Sequence, residues 1–443
     1  MPTKREKKAM AWLKIDALHV FLAKQFNKFP DDRDDNLSIR MEDALMSGYA
    51  MFSLKDSSLL QFNNERANRR ENLRTVYKIK KAPSDSGMRV ILDEVQNKEM
   101  NKIYAGLVKK MRAAGILSSY HYLGDYMFVS VDGVHHYSSE SVQCDHCMEY
   151  TKSNGHIEYR HSMLSAVIVH PEKREVLPIA HEPIVKQDGK EKNDCERNAA
   201  HRLIPRLKEL FPKDKVALVE DALSANGPHI RALKGQGFRF IIGVKPDGNK
   251  YLFDLIQRLD NHGKVNECKI EEKRFIHHFR YVNGLPLNSD NRDIKVNFVE
   301  YWQVDKTGKE KDKHFSWITD FHLTKGSVYQ VMRAGRGRWK IENETFNTLK
   351  NQGYNFEHNY GHGKKNLCSI LALLMMLAFL VDQLQQGWNE LFQAAWHKTQ
   401  TRIALWEKVR QKFDEYAVDS MDMIYKLIIG LLKVRYEIYE DSG

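Results

Sequence analysis

Apolar positions recur at helical spacing through the first part of the chain and at strand spacing through its middle. Trp12–Gln25, Met41–Phe52 and Glu65–Tyr77 each read as helices. Pro83-Ser84-Asp85 interrupts the pattern, and Ser84 or Asp85 is placed to cap a short amphipathic stretch, Met88–Val95. From Tyr126 the texture changes. Met127-Phe128-Val129-Ser130-Val131-Asp132 alternates and is β-branched, which predicts a strand ending at an acid. Ser162–His170 and Val176–Ile184 read as a hairpin turning at Pro171 to Glu175. Asp194 is positioned to cap a helix over Cys195–Leu210, with Glu196 in the first turn, where the helix dipole favours an anion. Lys215–Asp221 is a further strand ending in an acid, followed by a helix at Gly227–Lys234 and a strand at Phe238–Val244.

The order β-β-β-α-β-α-β, with right-handed crossovers, sets the first and fourth strands side by side and the hairpin on one edge. That is the strand order of the RNase H-like fold. Between 264 and 325 the alternation returns at Phe275–Val282, Lys295–Val304 and Phe315–Asp320, separated by polar turns, which predicts a β insertion. Arg338 to Asn351 is helical again and contains Glu342, and Lys364 to Tyr439 is helical throughout. The apolar run Leu367–Val381 falls short of the about 20 residues a membrane span needs, so a buried core helix is expected. The expected class is α/β: an RNase H-like mixed sheet with flanking helices, a β-strand insertion, an N-terminal helical domain and a C-terminal helical region. The boundaries expected are 1–115 for a DNA-binding helical domain, 120–263 for the first part of the core, 264–325 for the insertion, 326–385 for the Glu-bearing and packing helices, and 386–443 for the C-terminal region.

Charge sharpens this picture only a little. Lys and Arg number 69 against 58 Asp and Glu, a net charge of +11 over 443 residues, which suits a polyanionic partner. The excess is dense where Arg66, Arg69, Arg70, Arg74, Lys78, Lys80 and Lys81 outnumber Glu65, Glu71 and Asp85. Such a run makes either a phosphate-binding face or an ordinary solvated one. Five scattered cysteines are not a secreted disulfide framework, and the basic stretch Met1 to Lys8 is followed by no signal-peptide cleavage pattern. A cytoplasmic, nucleoid-associated protein with no membrane partner is expected.

Phosphoryl transfer on DNA needs an oxygen nucleophile in line and cations to neutralise developing charge; two Mg²⁺ ions held by carboxylates supply both. Asp132, Asp221 and Glu342 lie where such a site requires acids: on two neighbouring strands and a later helix. Arg338 and Glu342 stand at i, i+4 and share a helix face, so Arg338 could steady Glu342 or clamp a phosphate.

The segments Val129–Gly133, Val219–Pro228 and Arg338–Asn343 resemble bacterial insertion-sequence DDE transposases, in an ISNCY-like branch with a β insertion between the second Asp and the Glu. Gln352–Gly363 looks like the tail of the same signature, and Tyr49–Leu54 with Ser58–Phe62 like the family's N-terminal region. The resemblance implies two Mg²⁺ ions, for which Mn²⁺ can substitute, held by Asp132, Asp221 and Glu342. It implies double-stranded DNA as partner, both the terminal inverted repeats and the target, and a homodimer on paired ends. Two positions depart from the pattern. Related transposases carry a Tyr three residues before the Arg, where Gly335 stands here. They carry a Lys seven residues after the Glu, where Leu349 stands, with Lys350 one later. Glu344 is the rival to Glu342 on the same helix.

Two further features remain. Cys144 and Cys147 have zinc-knuckle spacing, and His156, His161 or Cys195 could complete a tetrahedral Zn²⁺ set; otherwise they are reduced loop thiols. Trp302 and Trp317, in the β insertion, are either core residues or platforms for a flipped base.

Overall fold

The computed structural model describes residues 10–33, 38–184, 186, 195–308 and 312–433. The cap expected at Asp194, the basic N-terminal residues 1–8 and the end of the C-terminal region lie outside these. The chain forms two compact units, and each is assembled from separated stretches.

One unit comprises Gly115–His135 and His161–Phe346. Its strands are β1 (His121–Tyr122), β2 (Tyr126–Ser139, as far as His135), β4 (Ile157–Val169, from His161), β5 (Leu177–Ile184), β6 (Lys215–Glu220), β7 (Arg239–Gly243), β8 (Asn266–Glu271), β9 (Phe275–Pro286), β10 (Lys295–Asp305) and β11 (Lys313–Thr319); β3 (Met148–Thr151) belongs to the other unit. The order is β5-β4-β2-β6-β7-β11-β10-β9-β8, with β1 also on β2. Strands β2, β6 and β7 are parallel, and their apolar runs Met127–Val129, Val216–Val219 and Phe240–Ile242 are buried, as parallel strands covered on both faces must be. The RNase H-like core is therefore present in the order the sequence implied.

The β insertion is not a separate module. β11 pairs antiparallel with β7, and β10, β9 and β8 follow in turn, so the segment extends the core sheet. β7 would otherwise end the sheet with unpaired N–H and C=O groups, and β11 satisfies them. A helix at Lys250–Asn261 leads into the extension.

The other unit comprises residues up to Ala114, His136–Arg160 and everything from Asn347. The expected N-terminal domain and C-terminal region are thus one body, built around the helix Leu367–Trp388. That helix is long and apolar enough to cross a membrane by composition, yet it is buried along nearly its whole length, packing against Met41–Leu54. Buried ion pairs tie the two ends of the sequence together. Lys55 Nζ meets Asp382 Oδ2 at 2.7 Å, and Tyr354 Oη donates to the same oxygen at 2.6 Å. The expected helix over Glu65–Tyr77 is two short ones, Leu59–Glu65 and Arg70–Thr75, with Arg69 between them. Ser84 caps Asp85–Asp93 by accepting from the Gly87 amide at 3.2 Å. A small hairpin, β3 with Ile157–Arg160 of β4, also belongs here.

Candidate active site

Three parallel strands bring two of the acids together by register alone. Ser130 stands opposite Val219, so two residues further along β2 and the end of β6 Asp132 comes opposite Asp221. Asp132 sits within β2, which runs on to Ser139 and does not stop at the acid as expected. Asp221 follows β6 and caps the short turn Ala222–Ser224, its Oδ1 accepting from the Leu223 amide at 2.9 Å. Its neighbour Glu220 points the other way: it is buried, accepting from His229 at 2.8 Å. Of two adjacent acids, Asp221 is exposed and Glu220 is buried.

Glu342 arrives from Ile341–Phe346, a π-helical turn following the helix Val328–Arg336. π-turns carry one residue more than an α-helical turn and are concentrated at functional sites. Arg338 joins the acids: its Nη1 lies 3.2 Å from Asp132 Oδ2 and 2.7 Å from Glu342 Oε1. The Arg338 carbonyl accepts from Ser130 Oγ at 3.3 Å, so the residue is tethered to β2 at its backbone as well. Glu344, the rival acid, faces Arg174 at 3.6 Å instead.

Burial pushes the Asp132 carboxyl up to about 7. Arg338 opposes the rise, while Glu342, Asp221 and Glu196 reinforce it. Glu196 is the acid that sequence reading placed only in a helix turn. Its carboxylate packs so closely on Gly133 that a Cβ there would lie 2.2 Å from Oε1, and burial together with Asp221 raises its own pKa. Gly133 is therefore small for a reason: it admits a fourth carboxylate beside Asp132. The only sequence signal was the Asp-Gly pair at the strand acid. Such a concentration of like charge with a single guanidinium is unfavourable alone and fits a divalent cation, whose charge would offset it.

Beside the acids opens a cleft of about 300 Å³ lined by Asp221, Lys245, His314, Trp317, Arg338 and Trp339. Lys245 is exposed at its rim. Trp339 is 44% exposed, with the Arg338 guanidinium 4.9 Å from its ring centre. Neither was singled out from sequence. Trp317, by contrast, is buried against Gly335: a Cβ on that glycine would lie 2.9 Å from the indole. This corrects the base-platform reading for Trp317 and explains why position 335 carries no Tyr. Trp302 is stacked between His278 and His314, with Arg280 above it.

The chain matches the family model for the transposase DDE domain over residues 138–380, more than half its length. The chain belongs to the DDE transposases. Asp221 and Glu342 fall inside the matched stretch, and Asp132 lies just ahead of it. No curated protein matches the chain. DDE transposases are DNA-acting nuclease and strand-transfer enzymes that use divalent metal ions.

The other candidates separate by burial. Arg69 leaves the DNA-contact set: it is 2% exposed, holding Asp56 at 2.7 Å and Asp414 at 2.6 Å. Arg66 bonds the Ala82 carbonyl and Asn63, and Lys78 the Thr75 carbonyl, so both brace local turns. Arg70, Arg74, Lys80 and Lys81 are exposed, Arg74 being paired with Glu71. Lys350, on Asn347–Asn351, is ion-paired with Glu357 at 2.8 Å. Of the zinc candidates, Cys144 and Cys147 adjoin in the loop between β2 and β3, and His161 is buried on β4. His156 is exposed beside Glu140. Cys195 is exposed at the N-cap of Glu196–Leu210. Cys268 and Cys368 are buried.

Proposed function

We propose that this transposase cleaves the terminal inverted repeats of a mobile element and joins the freed ends to target DNA, with two Mg²⁺ ions held by Asp132, Asp221 and Glu342. The observation that supports this most is the single guanidinium nitrogen of Arg338 shared by Asp132 and Glu342, beside a strand register that sets Asp132 against Asp221. When bound, the ions supply a neutralising charge for the phosphorane-like oxygens and activate the attacking one. Arg338 keeps the two carboxylates converged and stands ready to exchange one of them for a phosphate oxygen. Glu196 holds a further negative charge against Asp132, which keeps the Asp132 carboxyl raised and adds to the negative potential that a divalent cation would offset. Lys245 and Trp339 line the cleft where the strand would lie, one toward its phosphates and one offering a stacking face.

Lys350 completes the reading. Placed on Asn347–Asn351, it is proposed to contact a DNA phosphate in exchange for its ion pair with Glu357. Arg70, Arg74, Lys80 and Lys81 are proposed to contact the DNA backbone, and two copies to assemble on paired ends at the nucleoid. Mn²⁺ is expected to substitute for Mg²⁺.

The test is cleavage of DNA carrying the element's own ends, with Mg²⁺, by wild type and by Asp132→Ala, Asp221→Ala and Glu342→Ala. Strand-specific cuts lost in all three variants support the proposal. Cuts indifferent to end sequence point to a structure-directed nuclease, and binding without cleavage to a silent descendant.

A further inference from the structure

A cluster of metal-ligating side chains, apart from the carboxylates, lies in the helical unit. Cys144 and Cys147 Sγ atoms are 3.9 Å apart, and His362 Nε2 lies 3.2 Å from Cys147 Sγ. Tetrahedral Zn²⁺ with bonds of about 2.3 Å to sulfur and about 2.0 Å to nitrogen requires S···S and S···N separations of roughly 3.8 and 3.5 Å. The three donors stand at nearly those distances, and the sulfur separation is far beyond a disulfide's.

The surroundings serve this geometry rather than ordinary packing. The Cys147 amide donates to the Cys144 carbonyl at 3.0 Å, and the Cys144 amide approaches Cys147 Sγ at 3.4 Å, a tight turn that aims both sulfurs to one side. His362 Nδ1 donates to the Gly363 carbonyl at 2.9 Å, which selects the tautomer whose Nε2 lone pair faces the thiols. Tyr137 packs its ring 4.5 Å from the His362 imidazole and donates to the Val142 carbonyl at 2.9 Å. Downstream of His362, Asp93 accepts the amides of Lys364, Lys365, Asn366 and Leu367 within 3.0 Å. Gly363 has φ +71°, and a Cβ on it would lie 2.3 Å from Asp93. The loop bearing His362 is thus held from both sides.

We propose that Cys144, Cys147 and His362, all in the helical unit, bind a structural Zn²⁺. The ion would fasten the tip of the β2–β4 excursion to the loop that starts the central helix Leu367–Trp388. The thiols bind as thiolates, releasing their protons to solvent. His362, not Cys195, is the partner of the Cys-x-x-Cys pair.

The test is metal analysis of untagged full-length protein, with Co²⁺ exchange as an independent readout. One zinc per chain is expected, retained in Asp132→Ala and lost in Cys144→Ser, Cys147→Ser and His362→Ala. The Co²⁺ form should show thiolate charge-transfer and tetrahedral d–d bands. Should the variants fail to fold, the wild-type cobalt spectrum decides. Folded wild type with substoichiometric zinc, or a cobalt form without thiolate bands, overturns the proposal.

Discussion

Replacing Asp132 by Asn should stabilise the metal-free transposase above neutral pH while removing its response to divalent cations. The fold raises this carboxyl from its usual 3.8 to about 7, chiefly by burial. A raised carboxyl favours the neutral form in the folded state, so the penalty is absent below about pH 4, grows as pH rises to about 7 and stays constant above. Over that interval it amounts to about 4 kcal/mol at most. The side chain is 20% exposed, so relaxation and water entry reduce the figure, and about 2 kcal/mol is a sound expectation. Asn keeps the shape and can still accept from the Gly133 amide, which now meets Asp132 Oδ1 at 2.9 Å. At roughly 2–4 °C for each kcal/mol in a unit of about 200 residues, the melting temperature should rise by at least about 4 °C in chelator at pH 8. At pH 5 the gain should be about a third as large. Mg²⁺ or Mn²⁺ should then raise the wild-type midpoint and leave that of the variant unchanged. Scanning calorimetry at both pH values, with chelator and with metal, reads all of this. An Asp132→Asn protein that melts below wild type at pH 8 in chelator would refute the reasoning, since it would mean that the Arg338 pair repays the burial of the carboxylate.

The same shift predicts that Mn²⁺ affinity, measured by calorimetric titration, rises about tenfold per pH unit below about 7 and levels off above, because binding must displace the Asp132 proton; a flat profile from pH 5.5 to 8 would count against it. Glu342→Gln should abolish end cleavage, while Glu344→Gln, which only loosens Arg174, should keep most of it; the reverse result in a gel cleavage assay exchanges their roles. Arg69→Ala strands Asp56 in the interior and should lower stability by about 3–5 kcal/mol in denaturant titration. Arg74→Ala should leave stability unchanged and weaken DNA binding in filter assays at low salt.

Much of the catalytic unit was legible because its parallel core writes itself into the sequence. β-branched apolar runs ending at Asp132 and Asp221 can hardly be anything but adjacent strands, and the Arg338–Glu342 spacing is a property of any helix. Length errors came where periodicity carries no stop signal. β2 runs past its acid. Glu196 and Trp339 were not chosen because nothing local distinguishes a helix-turn acid or an exposed aromatic that lines a cleft from one that does not. Arg69 misled for the opposite reason: within a basic run, its burial depends on Asp414, far along the chain.

By itself the sequence determined which residues could carry the chemistry: hard oxygen ligands at strand ends, a guanidinium one turn from a carboxylate, two thiols at knuckle spacing. These rest on short-range geometry, where the periods of helix and strand fix which side chains share a face. Only the tertiary structure decided what each residue meets. It put Glu196 on Gly133, closed position 335 with Trp317, took Arg69 inward, and set His362 beside the Cys-x-x-Cys pair. The physical reason is that burial, pairing and like-charge repulsion depend on distances through space, which no periodicity along the chain encodes.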